Sequence, residues 1–138
     1  NRDFNDGEMN MLGVSYAVND DMTVTGSFTT YGDSAFHMEG TNFDNHGDYT
    51  RTGNIGYLNA NDEDMSLGIT YTMSGISLGA TMHQITNSED ENYERDVMEI
   101  SLGYSLNDNA GLSLKYATDT DNGAEEVKYM WLTLNVGL

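Results

Sequence analysis

The chain has 138 residues and a formal net charge of −18, with five Lys and Arg against twenty-three Asp and Glu, no Cys and no Pro. That balance excludes nucleic acid as a partner, because phosphate binding needs a basic footprint. The missing Cys excludes disulfides and thiolate metal sites, and no apolar run approaches the ~18 residues of a membrane-crossing helix.

In chain order, the opening NRDFNDGEMN reads as the middle of a polar loop. The first strand is expected near 9–18. Leu12, Val14, Tyr16 and Val18 fall on one face, and Met11, Gly13, Ser15 and Ala17 on the other. A period of two separates the faces of a strand. After the short turn Asn19–Asp21, a second strand near 22–32 sets Val24 and Phe28 against Thr23, Thr25, Ser27 and Thr29. A long acidic loop over 33–64 follows. The segment YTRTGNIGYL inside it (49–58) is left as loop, since a strand there would reverse the direction of everything after it.

A third strand near 65–73 sets Met65, Leu67, Ile69, Tyr71 and Met73 against Ser66, Gly68, Thr70 and Thr72. The pair Ser74–Gly75 turns into a fourth near 76–86, with Ile76, Leu78, Ala80 and Met82 against Ser77, Gly79, Thr81 and His83. A fifth near 97–106 has Met98, Ile100, Leu102 and Tyr104 against Glu99, Ser101 and Gly103. A sixth near 110–118 has Leu112, Leu114 and Tyr116 against Ser113, Lys115 and Ala117. The last, near 127–138, carries Met130, Leu132, Leu134 and Val136 on one side.

The second face is mostly Ser, Thr and Gly rather than the Lys and Glu of a soluble sandwich. Segments of about ten residues, apolar on one side and small-polar on the other, are the mark of a transmembrane β-barrel. Short connections alternate with long acidic ones, as in barrels whose short turns face the periplasm. The expected fold is therefore all-β: one partial barrel domain over 1–138, antiparallel and up-and-down. Tyr16, Tyr71 and Tyr104 each stand just before a short turn and would ring the inner membrane interface, with Tyr116 at the opposite girdle.

MLGVSYAVNDDMTVTGSF, SLGITYTMSGISLGATM and ISLGYSLNDNAGLSLKYATD resemble the C-terminal hairpins of Gram-negative general porins, most of all the acidic porins of alphaproteobacteria. The resemblance implies about seven strands of a sixteen-stranded barrel in the outer membrane. It implies a homotrimer that passes small hydrophilic solutes and ions by passive diffusion, with outer-membrane lipid and lipopolysaccharide as surroundings. Ser15, Thr23, Thr25, Ser27, Thr29, Thr70, Thr72, Thr81, His83, Glu99, Ser101 and Lys115 are then the pore-lining residues. Acidic groups at the mouths point to cation preference. Seven strands leave two edges unpaired, so further strands of a longer chain, or several copies, must complete the barrel.

No enzyme is expected. The histidines are His37, His46 and His83, and nothing in the strand phase builds a catalytic triad. Asp119, Asp121 and Glu125, in TDTDNGAEE, are candidate calcium ligands in an outer loop, because alternating carboxylates around a Gly supply hard oxygen donors. Two other functions stay open: a structural or adhesive barrel, and a secreted calcium-binding β-protein.

Overall fold

The structure is a computed structural model that describes residues 7–33 and 58–137. Most of the 33–64 loop, the segment 49–57, His37, His46 and Leu138 lie outside the described residues. The strands are β1 (Met9–Ala17), β2 (Met22–Tyr31), β3 (Asp62–Met73), β4 (Ile76–Asn87), β5 (Glu94–Asn107), β6 (Ala110–Asp121) and β7 (Val127–Val136). They form a single antiparallel sheet in sequence order. No ladder joins β1 to β7 among the described residues, so the sheet is open, with one free edge at each side.

The short turns match their sequence. Ser74 and Gly75 both take positive φ, 51° and 81°, between Met73 and Ile76. That is the two-residue hairpin geometry that follows strand twist, and Gly at the second position suits it. At the β5–β6 turn the register slips between Ser105 and Asn107, a bulge beside the turn.

Register fixes which residues share a face. Outward rows run Tyr16–Val24–Ile69–Ala80–Ile100–Tyr116–Met130, and below that Met22–Tyr71–Leu78–Leu102–Leu114–Leu132. These side chains form an exposed apolar band: Leu12, Leu67, Met82, Met130 and Leu132 are all more than 60% exposed. In water such a band would be an aggregation surface; in a bilayer it is the lipid face.

The upper edge of the band is sharp. Its outermost apolar members are Leu12, Phe28, Met65, Met82, Met98, Tyr116 and Met130, and beyond them stand Asn10, Thr30, Glu63, Gln84, Asp96, Thr118 and Lys128. Across the β3–β4 and β5–β6 ladders this edge steps down by one outward residue. The band therefore slants across the hydrogen-bond rows, as it must when strands tilt in a barrel.

Above that edge the polarity inverts. The inward residues become Tyr31, Ile85, Val97 and Ala117, and these pack with Leu58 into the core of the molecule, with Tyr93, Tyr129 and Trp131 against it. Ile85 and Ala117 are fully buried. Burying a side chain such as Ile85, Leu58 or Val97 contributes about 1.5–3 kcal/mol each. The outer ends of the strands thus turn polar groups to the outside and bury apolar groups, together with charged ones, within.

Three strands also run further than the alternation indicates. β3 begins at Asp62, β5 at Glu94, and β6 continues to Asp121. Carboxylates expected in loops are therefore strand residues, and Asp62, Asp64, Asp119 and Asp121 all point inward by register.

Candidate channel wall

The inward face is built from parallel rows. One runs Ser15–Thr25–Gly68–Thr81–Glu99–Ala117–Tyr129. The row above it runs Gly13–Ser27–Ser66–His83–Val97–Asp119, and the next Met11–Thr29–Asp64–Ile85–Arg95–Asp121. Below lie Thr23–Thr70–Gly79–Ser101–Lys115–Trp131 and Thr72–Ser77–Gly103–Ser113. All twelve residues expected to line a pore are on this one face.

In the lower rows the wall is thin. Hydroxyls lie over glycines of the neighbouring strand: a Cβ at Gly79 would stand 2.5 Å from Ser101 Oγ, and one at Gly68 2.7 Å from Thr25 Oγ1. Ser27 and Ser66 hydroxyls share a 2.7 Å hydrogen bond across β2 and β3. Small hydroxyl side chains held flat leave a polar surface with little bulk.

The charged groups, most of them higher, are paired diagonally between adjacent strands. His83 Nδ1 lies 3.0 and 3.2 Å from the two oxygens of Asp64. Lys115 Nζ donates to Glu99 Oε2 at 3.2 Å. Arg95 donates through Nε and Nη2 to the two oxygens of Asp119, a forked contact between two groups that are each 7% exposed. Such planar, two-point contacts are the strongest carboxylate pairs. Asp62, 1% exposed, accepts from the Asn59 backbone N–H at 2.9 Å and from Asn87 Nδ2 at 2.8 Å.

A cavity of 370 Å³ opens on this wall, lined among others by Ser27, Thr29, Asp64, Thr81, His83 and Glu99. It also touches Met11 of β1, so the sheet curls far enough for β1 and β5 to border one space. The side bearing the polar rows is the concave one.

The tyrosines expected at the membrane interface stand outward. Tyr16 and Tyr104 are 67% and 49% exposed near the short turns, and the Tyr71 hydroxyl contacts Met73 Sδ at 3.3 Å. Tyr116 closes the upper edge of the band on β6. The candidate calcium ligands are not brought together. Asp119 is on β6 and held by Arg95, whereas Glu125 is exposed in the turn beyond the strand. Among the described residues no group of three acidic or histidine side chains is placed to hold a metal ion.

Sequence reasoning missed the inward carboxylates Asp62 and Asp64 and the cation Arg95. The usable signal was phase: Asp62 and Asp64 keep step with Ser66 and Gly68, and Arg95 with Val97 and Glu99.

The family model described as Gram-negative porin matches residues 5–137. No curated protein and no solved structure matches the chain.

Proposed function

We propose that this chain, which belongs to the Gram-negative porin family, supplies a cation-preferring wall to its channel. Family membership makes it a porin-type channel in the outer membrane of a Gram-negative bacterium, passing small solutes. One observation carries the cation preference. The inward carboxylates Asp62, Asp64, Glu99, Asp119 and Asp121 face only Arg95 and Lys115 as fixed cations among the described residues.

No chemistry is required of such a wall. The lower rows keep the lumen wet with hydroxyls, solutes are sorted by size, and the carboxylate excess raises the local concentration of cations. The outward band would meet lipid. The exposed carboxylates of the turns, such as Glu89, Asp90 and Glu91, would share divalent cations with lipopolysaccharide at the cell surface. A homotrimer is the assembly we expect.

Reversal potentials in a salt gradient test the reading. Carboxylates at the mouths are screened over ~30 Å at 0.01 M salt but only ~3 Å at 1 M. Cation preference should be strong in dilute salt and weaken in concentrated salt, with a remainder from buried Asp62 and Asp64. Anion preference in dilute salt would overturn it.

The inward apolar cluster favours a second reading. Ile85, Val97, Tyr31 and Leu58 fill part of the concave side at its outer end. A barrel packed in this way all round would be a structural or adhesive anchor without a pathway. Inserted protein that gives no conductance steps in planar bilayers would select that reading.

A further inference from the structure

Among the described residues, three carboxylates of the inward wall face a basic side chain, and the three pairs are not equivalent. Asp119 is held by Arg95 and Glu99 by Lys115. Arginine and lysine are cationic throughout the range in which histidine changes charge, so those two pairs offer no comparable change. Asp64 is different. Both of its oxygens face His83 Nδ1, and histidine is the side chain whose charge changes between about pH 5 and 8.

We propose that Asp64 is a specificity-determining residue of the channel wall, and that the proton on His83 sets how strongly it attracts cations. The proposal deepens the cation-preferring reading and rests on it.

Position supports the assignment. Asp64 is 7% exposed and borders the 370 Å³ cavity beside Ser27, Thr29, Thr81 and Glu99. Ions near this wall meet hydroxyls and the Asp64 and Glu99 carboxylates, of which Glu99 is already balanced by Lys115. With His83 neutral, its Nδ1–H donates to Asp64 and the pair carries one negative charge. With His83 protonated, the pair is an ion pair of zero net charge.

The surroundings of His83 leave Asp64 as its dominant partner. Its cross-strand neighbours in the same row are Ser66 on β3 and Val97 on β5, and its neighbours along β4 on this face are Thr81 and Ile85. Among the described residues, the charged groups around it are Asp64 on β3, Arg95 and Glu99 on β5, and Asp119 further along its row on β6; Asp62 lies one position further along β3. Arg95 and Glu99 are turned to their own partners on β6. Tyr31 of β2 also borders the cavity.

One unit of wall charge several ångströms from a passing ion, in water with a Debye length of ~10 Å, changes the cation-to-anion ratio by about two-fold. The test is the reversal potential of the channel in planar bilayers under a salt gradient, at about pH 8 and about pH 5. The unmodified channel should lose about half of its cation preference on going to the lower pH. His83→Gln, which keeps an amide donor for Asp64, should hold the preference seen at pH 8 at both pH values. Asp64→Asn should lower the preference at pH 8 by a similar factor. Conductance steps of normal size from each variant show that it has folded and inserted.

A His83→Gln channel that keeps the full pH response would overturn the proposal. So would an Asp64→Asn channel with unchanged selectivity. An unmodified channel that shows no cation preference at either pH would instead remove the reading beneath it, so the two failures are distinguishable.

Discussion

Arg95 and Asp119 lock β5 to β6 on the inward face, the guanidinium Nε reaching one carboxylate oxygen at 2.8 Å and Nη2 the other. The contact is diagonal, one row apart in the ladder, and both residues are nearly buried beside Val97 and Ala117. It stands where the membrane part of the wall gives way to the apolar cluster.

Because both charges are out of water, removing either side chain takes the forked contact away from a buried charge. Arg95→Met or Asp119→Leu alone should destabilise the folded protein by about 3–5 kcal/mol. The double variant should lose much less, since it replaces the pair by apolar bulk within an apolar cluster. Urea unfolding from lipid vesicles gives the three values. Equal losses in the single and double variants would mean that the pair's packing, not its charge, matters.

The outward row Leu78–Leu102–Leu114–Leu132 should lie within the lipid. Leu102→Arg, and likewise Leu132→Arg or Leu67→Arg, should cost about 2–4 kcal/mol if the residue is at the midplane. Ser101→Arg, one residue away and inward, should still insert and should alter conductance. Folding yields into vesicles compare them. Unimpaired insertion of Leu102→Arg would contradict the facing.

Tyr93 leads into β5 and packs on the cluster formed by Ile85, Val97 and Leu58. Burial, followed by the nearby carboxylates of Asp121 and Asp62, pushes its hydroxyl up to about 12. Between the ordinary value of ~10 and about 12, the unfolded chain has lost this proton and the folded chain keeps it. Stability therefore falls as pH rises through that window, and the contribution is complete below it. Tyrosinate absorbance should show one late-ionising group that Tyr93→Phe removes, and the variant should lose stability less steeply above ~pH 10. An unchanged titration curve would count against the burial of this hydroxyl.

The membrane part of the sheet was legible because lipid imposes contrast. Leu67 against Ser66 and Gly68, or Leu102 against Ser101 and Gly103, marks each strand and its facing without ambiguity. Above the band the contrast disappears. Glu63 faces out while Asp62 and Asp64 face in, and Asp96 faces out beside Arg95, so both faces are polar and period two carries no signal. The strands therefore looked shorter than they are, and their charged ends looked like loops. Ile85 and Val97 show the same boundary from the other side. They continue the phase of Thr81, His83 and Glu99 yet are apolar, because the outer ends bury their inner face and wet their outer one. The pairing of Asp64 with His83 was not legible at all, since it depends on the β3–β4 register.

The central claim is that one face of this sheet borders a water-filled pathway and the other borders lipid. The chain has no Cys, so single cysteines can be placed without background. Ser101→Cys and Leu102→Cys are adjacent on β5 and point to opposite sides. A charged, water-soluble thiol reagent added to open channels in a planar bilayer should reduce the conductance of Ser101→Cys and leave Leu102→Cys unchanged. A conductance drop at Leu102→Cys with none at Ser101→Cys would contradict the account.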